Sequence, residues 1–447
     1  MKNEVFETYS VPKAVAAMGI PTTLGALVMM FYNMADTFFV GQTGDANQVA
    51  AVAITMPVFF LLMAIGNLFG IGGSSLISRC LGKKEFEKAK KVSALCFYGG
   101  IAAGLVSMIL FLGMMPWILN FLGAGEQTTA YARSYLSIVS IGAVFVVVQG
   151  AFVNIVRAEG AAKSAMAGQM VGTITNIILD PVFVLVFGMG IKGVAVATVI
   201  GNFLAFLYYI VYMRVSKTCL SLSPSLLSWD RAIMSEVFSV GLPSALSNIL
   251  GSITYIIYNK VMVGYGDMAV AASAISSKAG MFADTIQQGI AMGIQPLIGY
   301  SYTEGNHRRL KHIMCFTIAV STVFGVLFMA ALIIFAPQFV RAFLNNDEVL
   351  DTGVDFVRLI VIGAPFTGML MTIQNTFQGM GKAREGMILA LSRQIVFFVP
   401  AIFIGSMLAG KNGVIMAQPI ATMGSMVIAI MIYMISIKKE LNSVVLS

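Results

Sequence analysis

Twelve long apolar stretches with few charged residues dominate this sequence. Each is about 20 residues long, which is enough for a helix to cross a hydrocarbon core of about 30 Å. In lipid the backbone must satisfy its own hydrogen bonds, and a helix does so within one segment. The sequence therefore predicts an all-α membrane protein with twelve transmembrane helices. The predicted spans cover residues 14–40, 49–78, 92–115, 134–156, 164–187, 193–213, 235–263, 270–302, 312–336, 354–378, 386–408 and 413–436.

The composition excludes an ordinary soluble protein. Of the 447 residues, 58% are hydrophobic and 11% are charged, whereas soluble proteins are roughly 45–50% apolar and about 25% charged. The spans and their loops use up the chain, so no separate catalytic module is expected. The sequence has no HExxH or GxSxG motif, and its two histidines, His307 and His312, fall in one predicted inner loop. We therefore predict a protein that is not an enzyme and has no cofactor.

The distribution of basic residues predicts the orientation in the membrane. Of the 28 Lys and Arg residues, 20 fall in segments on the side of the N-terminus, four on the opposite side and four within spans. Cytoplasmic loops carry such an excess of Lys and Arg, and the N-terminal segment does not resemble a cleavable signal peptide. We therefore expect a multi-pass protein of the cell membrane with both termini in the cytoplasm. The net charge of +8 reflects this topology rather than binding to nucleic acid.

An internal repeat with an offset near 220 residues organises the chain. Its matches are short but colinear. They pair Tyr32-Asn33 with Tyr258-Asn259, 49–54 with 270–275, 141–145 with 362–366, Gly160 with Gly381, Pro181 with Pro400, and Gly193-Val194 with Gly413-Val414. Each copy holds six spans, so both copies insert in the same orientation. The repeat predicts two six-helix lobes related by a pseudo-two-fold axis along the membrane normal.

The predicted lobes are residues 1–220, with the first six spans, and residues 221–447, with the last six. A Ser-rich stretch over residues 215–230 is the predicted linker. Transporters built from such repeats bind their substrates near the midplane of the membrane. A transporter is therefore favoured, although a channel or a scaffold could carry the same repeat.

Leaving aside Glu236 and Asp355, each the second residue of its span, three acidic residues fall inside predicted spans: Asp36, Asp180 and Asp284. An ionisable side chain in a bilayer is costly and indicates function by default. In the repeat, Asp180 aligns with Val399 and Asn176 aligns with Ile395. Because the second copy has apolar residues there, the acid and the amide are not required for packing alone.

The spacing around Asp180 predicts a cation site. Asn176 and Asp180 stand at i and i+4, on the same face of a helix. Pro181 has no N–H to donate to the carbonyl of Ile177, which leaves a further oxygen available. Oxygen ligands suit small hard cations, and Asp36 would add a second carboxylate. We therefore predict a site for H⁺ or Na⁺, with Asp36, Asn176 and Asp180 as possible Na⁺ ligands.

Other polar residues within spans extend this prediction. Asn154 and Thr198 are candidate further ligands of the cation, and Asn33, Asn202 and Asp284 are candidate substrate-binding residues. The alternative for a buried acid is a structural ion pair. No Lys or Arg lies inside a predicted span of the first half, which argues against that alternative for Asp36 and Asp180. Asp284 shares its half with Lys260, Lys278, Arg358 and Arg393, so an ion pair there is as plausible as transport.

Several motifs together resemble the multidrug and toxic compound extrusion (MATE) family of transporters, on the bacterial branch with MepA-like and DinF-like members. The resemblance spans the whole chain. Its motifs are Tyr32-Asn-Met-Ala-Asp-Thr-Phe-Phe-Val-Gly41, Arg157-Ala-Glu-Gly160, Asn176-Ile-Ile-Leu-Asp-Pro-Val-Phe183, Gly241-Leu-Pro243 and Gln378-Gly-Met-Gly-Lys-Ala383.

This resemblance implies export of cationic or amphipathic drugs in exchange for H⁺ or Na⁺. It also implies a cation site in the first lobe, formed by Asp36, Asn154, Asn176, Asp180 and Thr198. One feature departs from the NorM-like branch, which places carboxylates in its seventh and tenth helices. Here Gly251 stands at the corresponding place in the seventh span, and the tenth has no acid after Asp355. Coupling is therefore expected in the first lobe.

The predicted function is an alternating-access antiporter that acts as a monomer, with small cationic drugs and membrane lipid as its partners. A flippase for lipids or lipid-linked sugars is the alternative, because the basic residues of the second half could bind phosphates. A passive channel is a third possibility.

Overall fold

The computed structural model describes residues 4–42, 44–228, 230–343 and 347–437, and within these ranges the chain is almost entirely helical, with no β-strand. Apolar sequence of this kind folds into helices because each helix satisfies its own backbone polar groups. The helices of the first half are α1 (Glu4–Glu7), α2 (Val11–Gly41), α3 (Ala46–Gly82), α4 (Phe86–Gly113), α5 (Met115–Phe121), α6 (Glu126–Ile141), α7 (Ala143–Ala158), α8 (Ala162–Pro181) and α9 (Ile191–Val215).

The second half begins after a 3₁₀ turn at Pro224–Leu226. Its helices are α10 (Arg231–Val263), α11 (Asp267–Thr303), α12 (His307–Phe343), α13 (Asp347–Val361), α14 (Ala364–Gly379), α15 (Ala383–Leu391) and α16 (Val399–Ile432). The described residues include three π-helical turns, at Val182–Val186, Ser392–Phe398 and Tyr433–Ile437. The first continues α8 and the second joins α15 to α16.

By length and apolarity, nine helical stretches of the described chain could each cross a membrane, or ten if α6 and α7, bent by 57°, form one span. The twelve predicted spans differ from this count for two local reasons. Helix α11 carries Asp267, Lys278 and Asp284 and is not among the helices counted as apolar enough to cross a membrane. The stretch Ala383–Ile435 contains two predicted spans, because non-helical backbone at Ala409 and Gly410 interrupts it.

Left-handed turns repeat along the chain at the offset seen in the sequence. The pairs with positive φ are Gly44 and Gly266, Lys84 and Gly305, Gly160 and Gly381, and Gly190 and Gly410. Glycine adopts this conformation readily, and it ends helices. Four turns at matching places give the two halves the same order of helices and turns.

The first compact unit comprises the described parts of Met1–Thr8 and Leu24–Ala245. Its core includes Leu62, Leu136 and Val147, and α3 packs on α7 while α8 packs on α9. Close approach of α3 to α10 depends on glycine, since a Cβ on Gly72 would clash with the Val237 carbonyl oxygen.

The second compact unit comprises the described parts of Tyr9–Thr23 and Leu246–Ser447. Its core includes Phe356, Val357 and Ile402, and α11 packs against α13 and α14. In this unit Gly293 of α11 approaches Gly19 of α2 so closely that a Cβ on Gly293 would lie 2.6 Å from the Cα of Gly19. The start of α2 therefore belongs to the second unit and the start of α10 to the first. The lobe boundary at residue 220 stays a prediction.

Candidate cation-binding site

Two buried carboxyl groups face each other in the first unit. Asp36, on α2, is 6% exposed, and Asp180, near the end of α8, is fully buried. The two carboxyl groups are close enough to share a hydrogen bond when one of them carries a proton. Two ionised carboxylates at such a distance repel each other, so the pair favours a proton or a metal cation between them.

Three of the four carboxyl oxygen atoms of this pair lack donors. Asp36 Oδ1 and both carboxylate oxygens of Asp180 are buried without a hydrogen-bond partner among the described residues, and so is Asn176 Oδ1. The salt bridges of the described chain are elsewhere, at Arg79–Glu236, Lys88–Glu236 and Lys90–Glu87. Buried polar atoms are costly unless they are paired. A hard cation with oxygen ligands would satisfy them, so these residues fit H⁺ or Na⁺.

Tyr32 belongs to this cluster, although the sequence analysis did not assign it a role. It lies one turn before Asp36, and its hydroxyl group interacts with the Asp36 carboxyl group and lies 3.4 Å from Thr198 Oγ1. Asn176 Nδ2 also donates to Thr198 Oγ1, at 3.3 Å. Thr198 therefore connects Asn176 to Tyr32. The i, i+4 spacing of Tyr32 and Asp36 was the signal that could have identified this tyrosine.

Tyr135, on α6, is a second residue that the sequence did not indicate. It is buried and lies within electrostatic range of both Asp36 and Asp180. Its position depends on the packing of α6 against α3 and α9. No spacing in the sequence links it to the two acids.

A small cavity adjoins the cluster. It has a volume of about 30 Å³, and its walls include Tyr32, Asn176, Thr198 and Asn202. One water molecule needs roughly 10–15 Å³ measured in this way, so the cavity has room for water or an ion but not for a drug. Asn202 holds its place by donating from Nδ2 to the Thr198 carbonyl oxygen at 2.8 Å.

The end of α8 gives Asp180 its setting. Pro181 follows it directly, and the chain then continues as the π-helical turn Val182–Val186. Such π turns are rare in proteins, and those that occur are often found at functional sites. Asn176 and Asp180 are both buried, as expected for two residues one turn apart on an inward face.

The hydrogen bonds of Asn154 do not connect it to this cluster. Its Nδ2 donates to the Gly150 carbonyl oxygen at 3.0 Å, and its Oδ1 accepts from Arg157 at 3.0 Å. Arg157 is 6% exposed in the last turn of α7. The sequence analysis placed Arg157 just outside the predicted span 134–156, whereas the structure buries it, because α7 extends past the predicted end of that span.

The remaining candidates lie elsewhere. Asp284, on α11 in the second unit, borders a separate cavity of about 10 Å³ with Gln418 and Thr422. It forms no salt bridge with a described residue, although the charge of Arg393 acts on it. The side chain of Asn33 lies outside the described residues. Among the described residues, no group of three or more His, Cys, Asp and Glu could hold a metal ion.

The MatE family model matches this chain twice, at residues 21–182 and 243–404. The chain belongs to the MatE family. The double match confirms the internal repeat, since each half carries its own copy. The predicted family and the all-α membrane fold are likewise confirmed, and this MatE protein is a transporter rather than an enzyme.

Curated relatives cover nearly the whole chain. The multidrug export protein MepA of Staphylococcus aureus (strain MRSA252) is 32% identical over 431 residues, which is 94% of each chain. The MepA protein of Staphylococcus saprophyticus subsp. saprophyticus (strain ATCC 15305 / DSM 20229 / NCIMB 8711 / NCTC 7292 / S-41) is 30% identical over 444 residues, or 96% of each chain.

Solved structures share the fold of this MatE protein. One is the outward-facing conformation of a multidrug resistance MATE family transporter of the MOP superfamily, with a TM-score of 0.93, 25% identity and coverage of 100% of this chain and 99% of that one. Another is a MATE protein in complex with MaL6, with a TM-score of 0.94, 25% identity and full coverage of both chains.

Proposed function

We propose that this MatE protein is a cation-coupled multidrug efflux antiporter that exports cationic and amphipathic small molecules by alternating access. Relatives that are 30% and 32% identical over most of the chain are named multidrug export proteins. We further propose that the coupling ion is H⁺ or Na⁺, that Asp36 and Asp180 bind it, and that Asn176 and Thr198 complete the site. The transporter acts as a monomer, with both termini in the cytoplasm.

One observation carries the coupling proposal. Asp36 and Asp180 face each other in a buried site where neither has a basic partner among the described residues. A bound cation relieves the repulsion between the two carboxylates, so such a pair favours cation binding. An ion that enters along the membrane potential supplies about 2.3 kcal/mol per unit charge for each 100 mV.

The position of the pair suggests how binding moves helices. Asp36 belongs to α2, whereas Asp180 stands where α8 passes into its π-helical turn. A bound cation holds the two carboxyl groups together, and its release leaves two like charges that separate. The two states of the helices therefore differ in affinity for the ion, which is the requirement for coupling.

The test is ethidium efflux from proteoliposomes under separately imposed proton and sodium gradients. Asp36→Asn and Asp180→Asn keep the size of each side chain but remove its charge. We expect the parent to export under one of the two gradients and both variants to lose this ion-driven export. The gradient that drives the parent identifies the ion.

Asp45→Asn is the matched control. Asp45 caps α3 by accepting a hydrogen bond from the Asn47 N–H at 2.9 Å, and asparagine is an equally good cap. This variant should transport at the parental rate. If Asp36→Asn and Asp180→Asn also exported at that rate under either gradient, the coupling site would be wrong.

A flippase is the second candidate, because Arg393 presents a basic side chain to a cavity of the second unit. Two other basic residues of that half have local contacts: Lys278 lies over the Phe343 ring, and Arg358 Nε donates to the Ile333 carbonyl oxygen at 3.3 Å. A flippase would translocate a labelled lipid-linked precursor and would be indifferent to ethidium. A drug exporter would show the opposite behaviour.

A further inference from the structure

Arg393 occupies an unusual place for an arginine. It is the eighth residue of the predicted span 386–408, about 10 Å along a helix from the start of that span. A charged residue at that depth is costly and marks a substrate or ion pathway. Arg393 also lies in the π-helical turn Ser392–Phe398, a local structure that is frequent at functional sites.

The Arg393 guanidinium group forms no salt bridge within the described chain. The ion pairs found there involve other residues. Asp284 is the acid with which Arg393 interacts electrostatically, but the two form no salt bridge. A guanidinium group offers five donors in a planar fork that matches the geometry of a carboxylate or a phosphate.

A cavity of about 140 Å³ lies beside Arg393, wholly within the second unit. Its polar wall is ordered, because Thr254 Oγ1 donates to Gln394 Oε1 at 2.9 Å. Gln418 lines both this cavity and the small cavity that borders Asp284. Gly251 lines the cavity without a side chain of its own.

Aromatic rings form the apolar side of this cavity. Tyr255 and Phe398 line it, and Tyr258 stands between them in a stack. The ring centroids of Tyr255 and Tyr258 are 6.0 Å apart, and those of Tyr258 and Phe398 are 6.4 Å apart, both with nearly parallel planes. A flat apolar body can pack against such a surface while a polar end reaches Arg393.

We propose that the cavity beside Arg393 binds the oxyanion of an amphiphile with a flat apolar body. This inference rests on the proposed export function and deepens it, because it assigns the anionic end of a substrate to a binding site in the second unit. The oxyanion is either the carboxylate of a drug-like molecule or the phosphate of a lipid. Both present the same chemistry to a guanidinium group.

Fluorescence anisotropy of the purified full-length protein tests this proposal with two matched dyes. Rhodamine 6G is a cationic ethyl ester, and its free acid is a zwitterion with the same ring system. Arg393→Gln should weaken binding of the free acid by at least about tenfold, the effect of losing a charge-assisted hydrogen bond. Binding of the ester should not change, and Arg393→Lys should retain part of the affinity for the acid.

A second arm separates the two sources of the oxyanion. Dioctanoyl phosphatidic acid and dioctanoyl glycerol compete against the free acid for the parent protein. Competition by the phosphatidic acid alone shows that the site also accepts a lipid phosphate, and failure of both to compete assigns the site to carboxylates. The proposal is overturned if Arg393→Gln binds the free acid and the phosphatidic acid as tightly as the parent does.

Asp284→Asn is the control for an ion pair. It removes the negative charge near the cavity, so the variant should bind the free acid at least as tightly as the parent. A loss as large as that of Arg393→Gln would overturn the proposal, because the two residues would then act as one structural pair. Ethidium efflux tests the export function separately. If that function is wrong, the parent protein fails to export ethidium. Dye binding needs no ion gradient, so it tests the Arg393 cavity alone.

Discussion

At the scale of single residues, Thr198 is the junction of the candidate cation site. Its Oγ1 accepts from Asn176 Nδ2 and lies within hydrogen-bonding distance of the Tyr32 hydroxyl group. Thr198→Val keeps the shape of the side chain but leaves both partners buried without this hydroxyl. We expect a loss of about 1–3 kcal/mol in the free energy of unfolding and a weaker ion dependence of ethidium efflux.

Thr55→Val is the control for this prediction. Thr55 is as buried as Thr198, at 1% exposed, but its hydroxyl group bonds to backbone carbonyls of its own helix at Ala51 and Val52. It should leave the ion dependence unchanged. Equal ion dependence of efflux in both variants would contradict a special role for Thr198.

For Asn154 we expect an effect on stability but not on the ion dependence of efflux, because its side chain is hydrogen-bonded to Gly150 and Arg157. Asn154→Ala removes the acceptor of a buried guanidinium group, and we expect a loss of roughly 1–3 kcal/mol in stability. Thermal unfolding of the purified protein measures it. At a temperature where the variant is folded, efflux should depend on the ion gradient as it does in the parent. Loss of that dependence with unchanged stability would instead make Asn154 a ligand.

The residues of the site were predictable only in part. Asp36 and Asp180 stood out because a carboxylate in an apolar span needs a reason, and the repeat showed an apolar residue opposite Asp180. That they face each other follows from packing of α2 and α8, which no spacing encodes. Arg157 was misplaced because the apolar run ends before the helix does, and the end of a run does not determine where burial ends.

At the scale of elements, Glu159 connects the end of α7 to the linker. Its carboxylate oxygens accept from the Tyr212 hydroxyl group at 2.6 Å, the Thr218 hydroxyl group at 2.5 Å and the Cys219 N–H at 3.2 Å. The Cys219 thiol also lies 3.3 Å from Glu159 Oε2. Burial, and next the negative charge of Glu159, raise the pKa of the Cys219 thiol above its ordinary value.

This contact predicts slow alkylation of Cys219. The thiolate is the reactive form, so a raised pKa keeps Cys219 protonated and unreactive at pH 7.5. Glu159→Gln removes the charge, lowers the pKa of the thiol and loosens the linker, and N-ethylmaleimide should react several-fold faster. The measurement uses a background with Cys315→Ser, since Cys315 is exposed whereas Cys80 and Cys96 are buried.

Glu85→Gln is the control for the alkylation rate. Glu85 is an exposed carboxylate that makes no side-chain cap hydrogen bond at the start of α4, and its substitution should leave the rate for Cys219 as in the parent. If Cys219 reacts as fast in the parent as in Glu159→Gln, the carboxylate does not protect the thiol.

Helices were more predictable than the breaks within them. Apolar runs predict spans because lipid demands internal hydrogen bonding, and every predicted span has helical structure in the described chain. The 57° bend between α6 and α7 lies inside the predicted span 134–156. It occurs at Gly142, where a Cβ would lie 2.5 Å from the Val199 side chain. This crowding comes from α9, a helix distant in sequence.

At the scale of the whole molecule, the repeat has a physical expression beyond its short sequence matches. Gly44 and Gly266 have φ values of 70° and 92°, and Gly190 and Gly410 have 55° and 56°. Residues within the spans can be substituted wherever packing allows. A position with left-handed backbone accepts only glycine or a few other residues. The turns therefore preserve the duplication better than the spans do, and the bias of basic residues keeps both halves in one orientation.

That orientation leads to the last prediction, on topology. In a background without the four natural cysteines, Lys83→Cys places a thiol in the predicted inner loop between α3 and α4, and Gln127→Cys places one at the predicted outer start of α6. Both positions are exposed. A membrane-impermeant maleimide should label Gln127→Cys in intact cells and should label Lys83→Cys only after permeabilisation. The reverse pattern would invert the topology, and equal labelling of both in intact cells would contradict a single orientation set by the basic loops.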